Sequence, residues 1–332
     1  MKKIIVLSAV TLLGMISILV YGLWYKTTDA EIIFTQSAAS SPSEVSERWP
    51  FDDFWKQSFL VACKLKRLNE IPAGKYKISS DLSPIDVVHI LRRKEQVDIL
   101  LRIDIAPNAD SLFQVFSNEL GHTVGEYESA FDSIFQANDS PINPLIRTTY
   151  FFADTYAFTY GESPKKTANR FHQYHQEFWN EERMAKQKKL GLTQEEIYIL
   201  ASMVKGETKV FEEAPIIAGL YINRLNKPMK LQCDATVKYA LSLKKAQRIL
   251  KEDLNQESPF NTYNVDGLPP GPIFITEKKY LDAVLEYKSH PYLYMCAEDN
   301  GSGKHLFTAS FNEHQRNAQR YQRYLNGLNI KR

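Results

Sequence analysis

Cysteine is scarce in this chain, and what there is comes unpaired. Cys63, Cys233 and Cys296 form an odd set with no CxxC and no metal-ligand spacing. That excludes a disulfide framework and leaves free, mostly buried thiols as the expectation. Charge of one sign is lacking too. Lys and Arg number 41 against 39 Asp and Glu, interspersed, for a net charge of +2. No basic stripe marks a nucleic-acid binder, and no acidic tail marks disorder. There is no internal repeat and no low-complexity tract. His172 and His175 can share a helical face, but no other ligand lies near in sequence, so no metal or other cofactor is expected. Aromatics, by contrast, make up 12%, enough for a rich core or a binding groove. The 332 residues suffice for two modest domains.

Long apolar runs are absent with one exception. Ile4 to Trp24 carries no charge, follows Lys2 and Lys3, and ends in an aromatic pair, Trp24-Tyr25, before Lys26. That length spans the ~30 Å apolar slab of a bilayer. The leading lysines favour a cytoplasmic N-terminus. A cleaved signal peptide has a shorter apolar core and a small-residue cleavage site directly after it. Here "YGLWYKTTD" follows instead. The expectation is a retained single-pass anchor in the inner membrane, with everything after about Thr27 on the extracytoplasmic side.

Beyond the anchor, the pattern predicts a strand near Ile32, a helix starting near Ser43 and another over "FDDFWKQSFLVACKLKRL". A turn at Ala73-Gly74 leads into a strand through Tyr76 and Ile78. A further helix is capped by Ser83 with Pro84 at its first position. Val97–Ile105 reads as a strand, with helices over 109–120 and 126–135 and one long polar helix from Pro164 to Lys189. The fold class is α+β: a transmembrane helix over 1–26, a small α+β module over 27–98, and a larger mixed α+β domain over 99–332.

Thr193 opens the most informative helix with a capping box, Thr193-x-x-Glu196. Ile197, Leu200, Ala201 and Val204 then trace one apolar face. Glu207 falls next on that face, near the helix C-terminus. Burial and the negative end of the helix dipole both disfavour its ionised form and should raise its pKa, as a general acid requires. The opposing reading is that the helix frays at Gly206 and leaves Glu207 in water. A second helix starts at Pro215. Gln232 and Asp234 flank a turn, and "ESPFNTYNVDGLPPGPI" is a stiff loop dense in neutral hydrogen-bonding groups, suited to sugars or simply to a rigid turn.

The stretches "LASMVKGET", "AGLYINRL", "MKLQCDATVKYAL", "SPFNTYNVDGLPPGPI", "YLYMC" and "HLF…EH" resemble the endolytic murein transglycosylases of the YceG-like family. The resemblance covers nearly the whole chain and is strongest from about Leu190 to Leu325. "AGKYKI" is similar to the family's LysM-like module, and "FFADTYAFTY" to its aromatic segment, which implies Asp154, Thr155 and Tyr156 near the cleft. The resemblance implies that Glu207 is the catalytic glutamate. Asn223, Gln232, Asp234, Ser258, Asn261, Thr262, Tyr263 and His305 would contact sugars, and Arg224 would meet acidic lactyl or peptide groups. Lys205 stands where the family commonly has an acid, Cys233 and Ala235 replace Ser and Pro, and His314-Gln315 replaces "HN".

The implied reaction needs one carboxyl, because the substrate supplies the nucleophile. Glu207 protonates the bridging oxygen, and the 6-hydroxyl of N-acetylmuramic acid closes a 1,6-anhydro ring. Implied partners are peptidoglycan glycan strands, the inner membrane through Ile4–Trp24 and, by analogy, wall synthases; no nucleic acid is expected. Two rivals stand: a hydrolase pairing Glu207 with Asp234, and a non-catalytic, membrane-anchored glycan-binding scaffold.

Overall fold

The structure is a computed structural model that describes residues 2–26, 31–136, 143–243 and 249–328, without the side chains of residues 2–9 and Ile105. The start of the apolar run and the head of the aromatic segment, 138–142, fall wholly or in side chain outside the described residues. The chain forms two compact units.

The first unit comprises residues 1–101, 116–123 and 157–163. It holds α1 (Lys2–Trp24), β1 (Ile32–Gln36), α2 (Pro42–Glu47), α3 (Asp53–Lys66), β2 (Gly74–Ile78) and α4 (Pro84–Arg93). Local chemistry sets the starts. Asp52 accepts the Trp55 N–H at 2.7 Å to cap α3, and Ser83 and Asp86 close a capping box on α4. β1 and β2 pair antiparallel with Phe34 opposite Tyr76, over a core of Val45, Trp49, Trp55, Phe59, Val88 and Leu91. Among the described residues, no helix is long and apolar enough to cross a membrane.

The second unit comprises residues 102–115, 124–156 and 164–332. β3 (Ile99–Arg102) ends where it begins, and a 3-10 turn takes over at Ile103–Ile105, so the expected strand is shorter than its apolar run. α5 (Ala109–Leu120) begins in this unit and ends in residues of the first, α6 (Val124–Phe135) lies in this unit, and β4 (Thr155–Phe158) again begins in it and ends in residues of the first. The single long polar helix expected from Pro164 is two helices, α7 (Pro164–Phe178) and α8 (Glu181–Leu190). Phe178 and Trp179 turn into the core, and Asn180 caps the new helix by accepting the Arg183 N–H at 3.0 Å.

α9 (Gln194–Glu207) is the centre of this unit, and its capping box forms as expected. Its burial is wider than one face: every residue from Ile197 to Val204 is buried. The polar ones are bonded, as burial requires. The Tyr198 hydroxyl donates to Phe151 O at 2.5 Å and accepts the Thr276 N–H at 2.8 Å. Ser202 accepts the Ile273 N–H at 3.1 Å. α9 thereby pins the segment 273–276. α10 (Ala214–Leu225), with Pro215 in its first turn, α11 (Asp234–Ala240) and α12 (Lys278–Leu285) surround it. β5 (Tyr294–Ala297) and β6 (His305–Thr308) form an antiparallel pair, and α13 (Phe311–Gly327) follows.

Candidate active site

Glu207 is the last residue of α9. The Thr208 N–H reaches back to Val204 O at 3.4 Å, so the helix does not fray at Gly206. The residue is half-buried, yet its carboxyl is surrounded by protein on all sides but the groove. It opens into a cavity of about 1380 Å³, lined among others by Tyr221, Arg224, Gln232, Asp234, Tyr263 and His305. That exceeds the roughly 300–1,000 Å³ of an ordinary small-molecule pocket and suits an oligomer.

Burial is the main cause that raises the Glu207 pKa, and the negative charge of Asp234 adds to it. Hydrogen bonds from Cys233 and Tyr221 and the proximity of His305 work the other way. The Tyr221 hydroxyl, fourteen residues along on α10, donates to Glu207 Oε1 at 3.1 Å. Burial dominates because the carboxyl cannot be fully solvated there. Lys205 is not among the groups acting on Glu207. Its ammonium donates to Ile275 O at 2.7 Å and pairs with Glu277 at 2.7 Å. The replacement of an acid by lysine is therefore absorbed locally, while Cys233 sets its thiol directly against the acid.

Five of the expected sugar-contacting residues line the cavity: Arg224, Gln232, Asp234, Tyr263 and His305. Arg224 does so with three of its five N–H donors engaged, Nε on Leu293 O at 2.7 Å and Nη1 on Lys230 O and Leu231 O at 3.3 and 2.6 Å. Only 6% exposed, it braces the groove wall and leaves Nη2 as its donor group for a ligand. Tyr263 donates to Asp234 Oδ1 at 2.7 Å, which fixes both at the rim.

The remaining expected residues are placed outside the cavity lining, in framework positions. Asn261 donates to Leu254 O and Gln256 O and accepts the Tyr263 N–H. Thr262 accepts the Cys233 N–H at 2.9 Å through its hydroxyl and the Gln232 N–H at 3.0 Å through its carbonyl. It thereby holds Gln232 in the left-handed region at φ 51°, a conformation that costs a non-glycine residue energy. Ser258 accepts the Phe260 N–H at 3.2 Å within its turn. Asn223 donates to His290 O and Tyr292 O. Asp154 accepts the Thr155 N–H, and Tyr156 stacks on Tyr174. All three cysteines are free, with Cys63 and Cys233 buried and Cys296 half-buried. His175 stacks on Phe152, and burial pushes its pKa down to about 4.

The sequence pattern missed Tyr221 and Glu213. Tyr221 read only as one more apolar position of α10. Glu213 sits in "FEEAP" without any periodic signal, although it is buried to 7% exposure.

The fold and site together define a protein organised around a secluded carboxyl that opens into a large cavity. The chain belongs to the YceG-like family, whose model matches residues 37–320. It is similar to the endolytic murein transglycosylase of Bacillus subtilis (strain 168), 31% identical over 207 residues, covering 62% of this chain and 50% of that protein. It is similar as well to the endolytic murein transglycosylase of Streptococcus pneumoniae (strain D39), 34% identical over 135 residues, covering 39% of this chain and 24% of that one. The chain thus spans half or less of the length of these curated relatives. A crystal structure of a YceG-like protein from Listeria monocytogenes shares the fold, with a TM-score of 0.56 and 24% identity over 86% of this chain and 98% of that one.

Proposed function

We propose that this protein is a membrane-anchored lytic transglycosylase that cuts peptidoglycan glycan strands internally, with Glu207 as its acid and base. The observation that carries the reading is the seclusion of Glu207, which raises its pKa above the ordinary carboxyl value, the direction a general acid needs, inside a cavity large enough for several sugars. Glu207 gives its proton to the oxygen bridging N-acetylmuramic acid and N-acetylglucosamine. The muramic 6-hydroxyl attacks its own anomeric carbon, forming a 1,6-anhydro end, and the proton it sheds restores Glu207. The attack is intramolecular, so orientation by Tyr263, Gln232 and the groove walls supplies much of the acceleration. Similarity to murein transglycosylases supports the substrate class.

α1 serves as the anchor in this reading, with its N-terminus cytoplasmic and the groove outside. What supports it is the uncharged run Ile4–Trp24 together with length: 23 residues extend about 35 Å at 1.5 Å each, against a ~30 Å apolar slab. The module of the first unit is read as LysM-like, and wall synthases are the partner class the family suggests.

The test is digestion of purified murein by the full chain in detergent. Mass spectrometry should find 1,6-anhydro ends from the native chain and none from Glu207→Gln, which should still pellet with murein. One observation favours a second reading: Asp234 lines the same cavity and its charge acts on Glu207. A hydrolase using both carboxylates would leave reducing ends, with water incorporated, instead of anhydro ends.

A further inference from the structure

Glu213 is a buried carboxylate a few residues past Glu207, and both of its oxygens are engaged. Oε1 accepts the backbone N–H of His305 at 2.8 Å, and Oε2 meets His305 Nδ1 at 2.8 Å. The hydroxyl of Thr208, the neighbour of Glu207, also donates to Oε2 at 3.3 Å. A carboxylate accepts only, so Nδ1 carries the proton, and Glu213 holds His305 once through its backbone and once through its ring. The other ring nitrogen, Nε2, meets no hydrogen-bond partner among the described residues, and it is not sealed from solvent. His305 lines the same cavity as Glu207, and a positive charge on it would act on the Glu207 carboxyl. The charged groups around the ring are Glu213 from the 211–213 turn, Glu207 from the end of α9, and Glu298 and Lys304 from the β5–β6 turn.

We propose that His305, held by Glu213, is the relay that takes the proton shed by the attacking hydroxyl and returns it to Glu207. The inference rests on the transglycosylase reading above. Once Glu207 has given up its proton it is a carboxylate in a place where burial and Asp234 both oppose charge. An imidazolium forming across the groove offsets that charge while the ring closes. The balance is complete. The bond from the anomeric carbon to the bridging oxygen breaks, and that oxygen leaves with the Glu207 proton. The bond from the anomeric carbon to the 6-oxygen forms, and the 6-hydroxyl proton passes to Nε2. Nε2 then hands a proton to the Glu207 carboxylate, and the next cycle begins with both groups as they started. Glu213 acts through His305 and is a positioning residue.

The test is steady-state digestion of purified murein by the full chain in detergent. His305→Ala should lower kcat about 10²- to 10⁴-fold with KM little changed, and added imidazole should restore part of the loss. Glu213→Asp, which keeps the carboxylate, should lose less than Glu213→Ala. An unchanged kcat, a loss confined to KM, or a loss in the folded variant that imidazole does not recover each overturns the relay. If His305→Ala melts below the native chain, His305→Gln decides: it keeps a donor for Glu213, and a native kcat overturns the inference while a lost one supports it. A native chain that releases no anhydro ends would instead overturn the transglycosylase reading.

Discussion

A carboxyl at the end of a buried helix is costly unless its proton stays on, and Glu207 shows the consequence in sign as well as in function. Its folded pKa is raised above the ordinary 4.5 by burial and by Asp234. The folded chain therefore holds this proton more tightly than the unfolded chain. Its contribution to stability is fully present below about pH 4.5 and is lost as pH rises toward the raised value. Glu207→Gln carries no such proton. The melting temperature of the variant should gain on the native chain as pH climbs through that window, while murein cleavage falls at least about 100-fold. A melting difference that is flat with pH would mean that the carboxyl is solvated after all. The 3.6-residue stripe from Ile197 pointed at this residue because the information is local to one helix. Asp234, Tyr221 and His305, which tune it, arrive from three other segments, and no spacing in the sequence relates them to α9. The bonds of the Arg224 guanidinium to three carbonyls were illegible for the same reason: they become visible only when the 230–231 and 293 segments are folded beside it.

Gly206, one residue before the acid, is where two helices meet. A Cβ there would lie 2.5 Å from Ala235 Cβ of α11 and 3.0 Å from Phe274 Cε2. Ala235 is on a short buried helix and cannot swing aside, so the glycine permits the close approach of α9 to α11. Gly206→Ala would gain about 1 kcal/mol of helix propensity but cost about 1–3 kcal/mol of overpacking. The net expectation is a chain about 1 kcal/mol less stable, with turnover down by up to about 10²-fold, because Glu207 moves with the displaced helix end. Chemical denaturation and murein digestion of the variant check both. Stability and rate at the native level would show that the two helices can separate without cost. Elements announced by capping chemistry were legible in advance: Ser83-Pro84, Thr193-x-x-Glu196 and Pro215 each mark the observed starts of α4, α9 and α10. The break between α7 and α8 was not, because it depends on Phe178 and Trp179 finding a core that the local sequence does not describe. The loop 257–273 was recognised as stiff. Its stiffness proves to come from Asn261 and Thr262, side chains expected to face sugar, bonding the loop to itself and to the Gln232–Cys233 backbone.

For the whole molecule, composition excluded large classes and left two units with aromatic-rich cores, and the anchor proposed for the N-terminal apolar run is what would decide where the groove works. The apolar run from Ile4 to Trp24 has no charged face, unlike a helix that lies in the plane of a membrane surface and carries a charged stripe. A surface-bound chain with net charge +2 would be held partly by attraction to anionic lipid, and salt would weaken it over a Debye length of about 10 Å at 0.1 M. A spanning helix is indifferent to salt and to alkaline pH, because its hold is apolar area. The full chain expressed in bacteria should therefore sediment with membranes after both 1 M salt and alkaline carbonate washes. It should come free only in detergent, and a chain lacking residues 1–30 should stay in the supernatant. A fraction released by salt would replace the anchor by a peripheral contact. With it would go the reason for the groove to meet strands near the membrane before the rest of the wall.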